Sequence, residues 1–596
     1  MPRPMTRPPA PVPAPPSAND PSRLPLLLVA SVLAASMPSL LAFNVSPSPT
    51  FWNQALALGL WGGFVLMVAA GTPSARGLLA SRHAAPVQAA LALLGAAAVW
   101  SGTAGSLPSS LHLSSLGLLG AAALLVHAGA AARSSGEAID LFALFCWGWL
   151  VAGLLNLALA LVQVFAPAWP DGDWIAVSNI VGRAVGNLRQ PNHLSSLLLW
   201  SAIATVTLLE LRRIPRWMGA AVVVGMVFGV VLTASRTGLV SVFVLALWGL
   251  MDRRMSKPTR ALLLATPLVY AAAWFGMARW AEYSQLTFGG AARLAESDVS
   301  GSRFGIWANT LALIRMHPWT GVGLGEFNLA WSLTPFPGRP IAFFDHTHNL
   351  VLQFAVELGL PLAALVMGLL LWGWGRMALR AWRAEGDDAA VYRAAGVFVL
   401  MIGLHSQLEY PLWYAYFLLP AAWAFGFGMA PRAGTVPPPP GTPLLAPAGA
   451  VLTLAAAFSV WDYGQVVAVF SAADDAPPLA RRIERGQHSV FFAHHADYAA
   501  ATTATEPRLQ KRAFDGATHY LLDTRLMMAW ADELNERGDV DRARHIADRL
   551  REFKNPASKD WFAECGDGPR NANAGEGFQC KPAEKVYTWQ DFVRRR

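Results

Sequence analysis

The feature that most constrains the fold is a series of apolar runs, most of them roughly 17–28 residues long, which is the length that a helix needs to cross a hydrocarbon core of about 30 Å. The chain has 596 residues, of which 54% are hydrophobic and 14% are charged, whereas soluble domains usually contain about a quarter charged residues. The sequence therefore predicts an all-α polytopic membrane protein with about 13 membrane-spanning helices. The predicted spans are near 24–45, 53–71, 87–103, 111–132, 139–166, 192–211, 218–234, 237–251, 261–279, 359–379, 391–408, 412–429 and 446–466.

Positive charges alternate between the loops that join these runs. Cytoplasmic loops of membrane proteins are rich in Arg and Lys, and here every second loop is basic, whereas the short loops at 46–52 and 104–110 are not. We therefore interpret the net charge of +8 as a topology signal and predict no binding of nucleic acid. The basic residues of these loops are Arg76, Arg82, Arg133, Arg212, Arg213, Arg216, Arg253, Arg254, Lys257, Arg260, Arg380, Arg383 and Arg432.

The alternation predicts three regions along the chain. Residues 1–23 are expected to form a disordered cytoplasmic tail, because they are rich in Pro and Ala and carry three arginines. Residues 24–466 are expected to form the transmembrane region, with a large outer loop at about 280–358. An odd number of spans then places the C-terminal domain, 467–596, on the outer side.

The C-terminal domain has a helical signature of its own. The stretch from Thr524 to Phe553 indicates two helices separated by a break at Gly538, with apolar residues at helical spacing. This pair resembles a tetratricopeptide-like helical hairpin, which favours docking or bracing over catalysis. Cys565 and Cys580 are the only cysteines of the domain, and in an oxidising outer compartment we expect them to form a disulfide.

Four arginines depart from the charge alternation, because they fall on the predicted outer side. Any one of them could be an ordinary solvated arginine with its aliphatic stem along an apolar surface. Several arginines on one side instead favour an anionic ligand such as a pyrophosphate, which suits the planar guanidinium group. These residues are Arg183, Arg189, Arg236 and Arg303.

Polar residues also concentrate in three outer segments, of which the first is 182–194 and the last is 405–411. In the first, Asn192 follows a proline and is typical of a helix start, which explains Asn192 but not its neighbours Gln190 and His193. An ionisable group at membrane depth is costly, so Glu409 in the last segment is a functional candidate. The other candidates of this segment are His405, Gln407 and Tyr410.

The middle segment, 344–359, contains two histidines that are two residues apart. Together with Asp345 they could bind a metal ion, but no cysteine or further histidine lies at zinc-type spacing. A histidine at the start of a helix, followed by Gln353 and Glu357 on or near one face, better suits a general base. The sequence therefore predicts no metal and no other cofactor. The remaining candidates of the segment are His346, His348 and Asn349.

These segments give the chain a resemblance to the superfamily of O-antigen ligases and polymerases, and specifically to its PglL-type protein O-oligosaccharyltransferases. The number of spans, the large outer loop and the pair His348-Asn349 resemble the superfamily. The segments 186–194 and 405–411 and the C-terminal extension resemble the PglL branch. The resemblance covers nearly the whole chain.

The resemblance implies a glycosyltransferase of the bacterial inner membrane. Such an enzyme moves a preassembled oligosaccharide from undecaprenyl pyrophosphate to Ser or Thr of a periplasmic or pilin-like protein, with membrane lipid around it. The motif implies His348 as catalytic base, and Arg236 and Arg303 as the leading ligands of the donor pyrophosphate. Arg183 and Arg189 are further expected ligands of the same anion.

Other activities are compatible with parts of this pattern. Within the superfamily, the acceptor could instead be the lipid A-core, as for an O-antigen ligase, or a growing glycan, as for an O-antigen polymerase. From another class, a polytopic transporter would show inverted repeats and ionisable residues at mid-membrane. Here the charges gather on one side and the sequence shows no internal repeat, which favours the transferase.

Overall fold

The structure is a computed structural model. It describes residues 23–71, 82–290, 299–336, 338–341, 343–432, 444–503, 507–565 and 577–593. Residues 1–22 of the predicted tail, and Arg76, lie outside the described residues. The helices, in chain order, are α1 (Arg23–Leu40), α2 (Phe51–Gly71), α3 (Ala85–Thr103), α4 (Ser109–Arg133), α5 (Ala138–Phe165), α6 (Pro191–Glu210), α7 (Arg216–Thr233), α8 (Arg236–Met251), α9 (Lys257–Ser284), α10 (Val299–Met316), α11 (Phe327–Leu333), α12 (Leu350–Arg383), α13 (Gly386–His405), α14 (Ala415–Met429), α15 (Leu445–Phe470), α16 (Leu479–Gly486), α17 (Ala493–Thr503), α18 (Pro507–Ala517), α19 (Thr524–Glu536) and α20 (Val540–Phe553).

Each predicted span corresponds to one helix of the structure. Within the described ranges, 10 helices are long and apolar enough to cross a membrane. Three shorter apolar helices, α1, α8 and α14, occupy the remaining predicted positions. Regular secondary structure in this part of the chain is entirely helical, so the predicted all-α polytopic fold is confirmed.

Some predicted boundaries differ from the structure, and two of them do so for clear local reasons. Helix α13 begins at Gly386 rather than near 391, because Asp387 and Asp388 in its first turn favour a helix N-terminus through the helix dipole. Helix α14 begins at Ala415 rather than near 412, because Pro411–Trp413 form a 3-10 turn ahead of it.

Alternate connections meet at one end of the bundle, which we call the loop face: the loops at 41–50, 104–108, 166–190 and 406–414, and the described residues of the long segment 285–349, which are 285–290, 299–336, 338–341 and 343–349. Hydrogen bonds join these loops to one another. Asn187 Nδ2 donates to the carbonyl oxygen of Leu40 at 2.6 Å, and Asn192 Nδ2 donates to Glu409 Oε1 at 3.1 Å. The loop face therefore gathers all three polar segments of the sequence.

The opposite end of the bundle, which we call the arginine face, carries ion pairs between neighbouring connections. Its pairs are Arg133 with Asp388 at 2.5 Å, Arg212 with Asp387 at 2.7 Å, Arg213 with Asp140 at 2.5 Å and Arg393 with Asp252 at 2.7 Å. Arg133, Arg212 and Arg213 belong to connections or helix ends on the side that the sequence predicts to be cytoplasmic, and Arg393 lies within α13, which begins on that side. The two ends thus differ in chemistry as the charge alternation predicts.

Helix α6 places the first polar segment at the centre of the loop face. Its residues from Pro191 to Leu208 are buried, so it is surrounded by other helices rather than by solvent or lipid. Trp200 Nε1 donates to the carbonyl oxygen of Phe398 in α13 at 3.0 Å, which ties the two helices together. Asn192 and His193, in the first turn of α6, consequently lie inside the protein.

Helix α12 is interrupted at Gly359, whose φ of 75° and ψ of 162° are not helical. The chain of the outer loop replaces the missing helical hydrogen bonds at this point, because Leu360 N donates to Pro318 O and Val322 N donates to Val356 O, both at 2.8 Å. The predicted span at 359–379 is therefore the part of α12 after the interruption, and residues 350–358 belong to the outer loop's architecture.

The C-terminal domain is built from α16 to α20 and packs against the long segment of the loop face. Helices α19 and α20 form the hairpin that the sequence indicates, with Gly538 at φ 83° between them. Phe553, at the end of α20, stacks on Phe343 with ring centroids 3.8 Å apart. Cys565 and Cys580 are joined by a disulfide.

Candidate active site

His348 lies at the end of the long segment of the loop face, just ahead of α12. Its φ of 55° places it in the left-handed region, which non-glycine residues adopt rarely and which is enriched at functional sites. The following residue, Asn349, caps α12 by accepting a hydrogen bond from Leu352 N at 3.0 Å. Asn349 Nδ2 also donates to the carbonyl oxygen of Gln407 at 3.1 Å. These bonds fix the backbone from which the imidazole projects.

Glu409 is the direct partner of this imidazole, since its Oε2 lies 3.0 Å from His348 Nδ1. The other carboxylate oxygen accepts hydrogen bonds from Arg303 Nη2 at 2.5 Å and Asn192 Nδ2 at 3.1 Å. Burial raises the pKa of the Glu409 carboxyl, but the hydrogen bond from His348 and the charges of His348 and Arg303 outweigh it and lower the pKa to about 2. Glu409 can accept the Nδ1 proton of His348, which leaves Nε2 as the ring nitrogen that can take up a proton.

A chain of hydrogen bonds leads from Glu409 to the N-terminus of α8. Asn192 Oδ1 accepts from Ser235 Oγ at 2.6 Å, and Ser235 Oγ accepts from Gly238 N at 2.9 Å as the cap of α8. Arg236, the first residue of α8, is exposed. An exposed guanidinium group at a helix N-terminus is well suited to an anion.

Aromatic rings enclose His348 and its neighbour His346. The ring centroid of His346 lies 3.4 Å from that of Tyr410 and 4.2 Å from that of His348. Phe344 contacts His348 edge-on at 5.4 Å. Burial lowers the pKa of His346, an effect opposed by Asp345, whose carboxylate accepts from its Nδ1. Burial also raises the pKa of Tyr410, which keeps its phenol protonated.

Gln353 and Glu357 support the outer segment from within. Gln353 Oε1 accepts a hydrogen bond from Thr347 N at 2.8 Å. The Glu357 carboxyl group accepts from the backbone of Gly325 and Phe327, at the start of α11. Gln353 therefore holds the backbone directly before His348, whereas Glu357 holds the backbone at the start of α11.

His193 and His405 form a buried layer behind Glu409. His405 Nδ1 lies 2.8 Å from Ser196 Oγ, and His193 Nδ1 lies 3.2 Å from the hydroxyl oxygen of Tyr416. Gln190 caps α6 by accepting from His193 N at 2.9 Å. The three predicted candidates thus support the first turn of α6, which carries Asn192.

Two of the four predicted outer arginines anchor loop backbone. Arg183 Nε donates to the carbonyl oxygen of Thr233 at 2.9 Å, which braces the turn from which Arg236 projects. Arg189, at φ 57°, donates to the carbonyl oxygen of Ala42. Arg303 and Arg236 are the arginines that the structure places beside the His348–Glu409 pair and at the start of α8.

His346, His348 and Glu409 also offer three ligand atoms within 4.8 Å of one another, a set that could hold a metal ion. The sequence alone does not connect these residues, because Glu409 lies 61 positions from His348. A cation here would meet the Arg303 guanidinium group, which is paired with Glu409 at 2.5 Å. The charge of Arg303 favours the metal-free arrangement.

The sequence gives no prominence to two hydroxyl residues of this network, Ser235 and Ser196. Ser235 directly precedes Arg236, and serine before an apolar run is a known N-cap signal that could have identified it. Ser196 lies four residues after Asn192 on α6, which places both on one helix face. Their partners, however, belong to other helices and become apparent only in the fold.

Protein-family models match three parts of the chain. A protein glycosylation ligase family matches residues 184–209, an O-antigen ligase family matches 221–367, and the C-terminal family of virulence factor membrane-bound polymerases matches 394–560. The first match contains Asn192, the second contains Arg303 and His348, and the third contains Glu409. The site is thus assembled from all three matched parts.

Two curated proteins of Acinetobacter baylyi are similar to this chain. A general O-oligosaccharyltransferase is 27% identical over 333 residues, which are 53% of this chain and 56% of the relative. A ComP-specific O-oligosaccharyltransferase is 24% identical over 288 residues, which are 46% of this chain and 47% of the relative. The chain spans about half the length of the curated relatives that it matches.

Proposed function

We propose that the chain is an oligosaccharyltransferase of the PglL type, within the O-antigen ligase superfamily to which it is similar. It transfers a preassembled glycan from undecaprenyl pyrophosphate to Ser or Thr hydroxyls of periplasmic or pilin-like proteins. The observation that carries this proposal is the His348–Glu409–Arg303 network, in which a base and a guanidinium group share one carboxylate. Such a pairing suits a reaction that removes a proton from one reactant and leaves negative charge on the other.

The base in this reaction is His348. As the acceptor oxygen attacks the anomeric carbon of the first sugar, its proton passes to His348 Nε2. The bond from that carbon to the phosphate oxygen breaks, and its electron pair leaves with the lipid pyrophosphate. Glu409 accepts from Nδ1 at 3.0 Å, so it orients the ring and stabilises the imidazolium that forms.

Arg303 and Arg236 hold the pyrophosphate in this proposal. Among the described residues, Glu409 is the hydrogen-bond partner of Arg303, through Nη2, and a guanidinium group has further N–H donors for phosphate oxygens. Arg236 adds a second exposed guanidinium group at the N-terminus of α8. Charge grows on the leaving pyrophosphate, so contacts at these oxygens strengthen as the bond breaks.

The donor explains why such a site is built within a membrane protein. Its lipid tail is apolar and can lie against the membrane-spanning helices, while the loop face receives the glycan and the acceptor. We place the chain in the bacterial inner membrane with the loop face and the domain 467–596 in the periplasm. The ion-paired arginines of the opposite face support this orientation, because basic residues favour the cytoplasmic side.

The direct test is transfer by the purified full-length protein in detergent or liposomes. It is incubated with a lipid-linked oligosaccharide and a candidate pilin, and the pilin is examined by mass spectrometry. We expect a mass increase equal to the glycan, and its loss in His348→Ala, since removing a general base costs about a hundred- to ten-thousandfold in rate. His488→Ala is the matched control, because His488 is an exposed histidine of the C-terminal domain.

Further experiments distinguish the proposed protein acceptor and the proposed base from the alternatives. If lipid A-core or a free glycan chain is supplied as the sole acceptor, an O-antigen ligase or an O-antigen polymerase, respectively, would form product. If no product forms on the pilin, the proposed protein acceptor is contradicted. A chelator should leave transfer unchanged, because the Arg303 guanidinium group already supplies a positive charge beside Glu409. Normal transfer by His348→Ala, combined with its loss in His346→Ala, would move the base to the pair Asp345–His346.

A further inference from the structure

The side chain of Asn328 connects the C-terminal domain with the segment that carries His348. Asn328 lies in α11 and is 4% exposed. Its Oδ1 accepts a hydrogen bond from the backbone N–H of Leu522, in the C-terminal domain, at 2.8 Å. Its Nδ2 donates to the backbone carbonyl oxygen of Phe344 at 2.7 Å. One buried amide group therefore spans from the C-terminal domain to the residue four positions before His348.

Phe344 connects the hydrogen bond of Asn328 with the imidazole, because its backbone accepts that bond and its ring contacts His348. Its ring meets that of His348 edge-on with centroids 5.4 Å apart, and it meets Trp331 edge-on at 5.9 Å. Trp331 is fully buried and packs against Phe553 of the C-terminal domain at 5.3 Å. Because packed interiors tolerate little displacement, a shift of the C-terminal domain at these contacts would move Phe344 and the ring beside it.

The same domain also holds α11 at contacts that do not touch the His348 segment. His519 Nδ1 lies 2.7 Å from Glu326 Oε2, directly ahead of α11. His545 Nε2 lies 2.9 Å from the carbonyl oxygen of Leu333, at the end of α11. Asn328 differs from these anchors in that its amide reaches the catalytic segment itself.

We propose that Asn328 is a positioning residue for His348, through which the C-terminal domain sets the geometry of the base. This inference rests on the proposed function, in which His348 removes the acceptor proton. The C-terminal domain is then part of the catalytic centre's framework rather than only a docking module. Proton transfer requires the base within hydrogen-bond reach of the acceptor hydroxyl, so a small displacement of the ring lowers the rate without altering donor affinity.

The test uses the full-length protein with Asn328→Asp. The aspartate has the shape of asparagine and still accepts from Leu522 N, but it places an oxygen against the carbonyl oxygen of Phe344. We expect kcat to fall by about ten- to a hundredfold, as for misplaced catalytic groups, while KM for the lipid-linked donor stays within about twofold. Phe344→Leu, which keeps the backbone carbonyl but removes the ring beside His348, should give the same kcat loss.

His545→Ala is the matched control, because it removes one hydrogen bond between the C-terminal domain and α11 without touching residues 343–348. It should retain kcat even if its melting temperature falls. Equal kcat losses in Asn328→Asp and His545→Ala, tracking equal losses of melting temperature, would reduce Asn328 to a structural role. Unchanged kcat in both Asn328→Asp and Phe344→Leu, with His348→Ala inactive, would overturn the inference and leave the proposed function standing. Activity in His348→Ala would overturn both.

Discussion

At the scale of single residues, the site depends on one carboxylate that serves two cationic partners. Glu409 is 7% exposed and pairs with both Arg303 and His348. Its pKa of about 2 keeps it ionised over the whole range in which a histidine titrates. Removing the carboxylate charge would leave the Arg303 guanidinium without compensation, which is costly for a partly buried group.

Glu409→Gln is the residue-scale prediction that follows. The amide keeps the size of the side chain and still accepts one hydrogen bond, but it no longer stabilises the imidazolium that forms on proton transfer. We expect kcat to fall by about a hundredfold or more, within the range for a disabled general base. The measurement is single-turnover transfer at saturating lipid-linked donor.

Glu533→Gln provides the comparison for this substitution. Glu533 is also a buried glutamate with an arginine partner, Arg537 at 2.9 Å, but it lies in α19 of the C-terminal domain. Its transfer rate should remain normal. A Glu409→Gln protein as fast as Glu533→Gln would show that the carboxylate charge does not act in the proton transfer.

The sequence identifies the members of this site individually but not their partnership. His348 and Glu409 are both singled out by residue type and local context, yet their hydrogen bond joins positions 61 apart and depends on the packing of α12 against α13. The sequence also groups Arg183 and Arg189 with Arg303. Only the fold separates them, because bracing a loop backbone and binding an anion require the same guanidinium chemistry.

At the scale of elements, the interruption of α12 decides where His348 lies. Gly359 adopts φ 75°, and a Cβ atom there would lie against the carbonyl oxygen of Trp319 and 2.8 Å from Thr320 N. Gly321 approaches the same place from the loop, with an added Cβ 2.5 Å from Glu357 C. Backbone approaches this close exclude any side chain, so the two glycines permit the contact that anchors residues 350–358.

Gly359→Ala is therefore expected to destabilise the protein by about 1–3 kcal/mol, the usual cost of a strained backbone position, and to lower transfer as residues 350–358 shift. The control is Gly368→Ala in the same helix, where an added Cβ meets no atom within 4 Å. That substitution should be neutral or slightly stabilising, since Ala favours a helix interior over Gly. Melting temperatures in detergent decide the matter, and equal values for the two variants would contradict the role of the interruption.

The positions of the membrane-spanning helices can be predicted from the sequence better than the interruption of α12 can. Apolar length alone places every span, because a bilayer imposes a minimum helix length that composition reveals. The start of α12 at Leu350 cannot be predicted in this way, because residues 350–358 are apolar like the span that follows. The interruption after them depends on a contact with residues 318–323, which are distant in sequence. The pairing of α11 with the C-terminal domain depends likewise on contacts distant in sequence.

At the scale of the whole molecule, buried histidines link the C-terminal domain's stability to pH. Burial lowers the pKa of His545 to about 4, against an ordinary value of 6.5, although its bond to Leu333 O opposes the shift. Burial also lowers the pKa of His495 to about 4. For these two histidines, a folded-state pKa below the unfolded one means that their contribution to stability is complete above about pH 6.5 and is lost as the pH falls toward 4.

We predict that the melting temperature of the full-length protein falls between pH 6.5 and 4. His545→Gln should flatten part of this fall, because glutamine does not titrate and its amide can still donate to Leu333 O. His488→Gln, at an exposed position, should leave the profile unchanged. The prediction is contradicted if the melting temperature of each of the three proteins is the same at pH 6.5 as at pH 4.

Orientation is the remaining property of the whole molecule, and two independent features bear on it. The arginine face carries the basic residues that favour the cytoplasm. The C-terminal domain, at the other end of the bundle, contains the disulfide Cys565–Cys580, and disulfides persist in oxidising compartments such as the periplasm. Both features support the proposed orientation, in which the loop face with His348 lies in the periplasm.

Single cysteines on the two faces test this orientation in the full-length chain. Asp474 follows α15 on the side of the C-terminal domain, Glu385 lies between α12 and α13 on the arginine face, and both are exposed. We expect Asp474→Cys to react with a membrane-impermeant maleimide in intact cells, and Glu385→Cys to react only after lysis. The native Cys146 is buried and should stay unlabelled without denaturant. The reverse pattern would place His348 and its network on the cytoplasmic side, where a periplasmic acceptor could not reach the base.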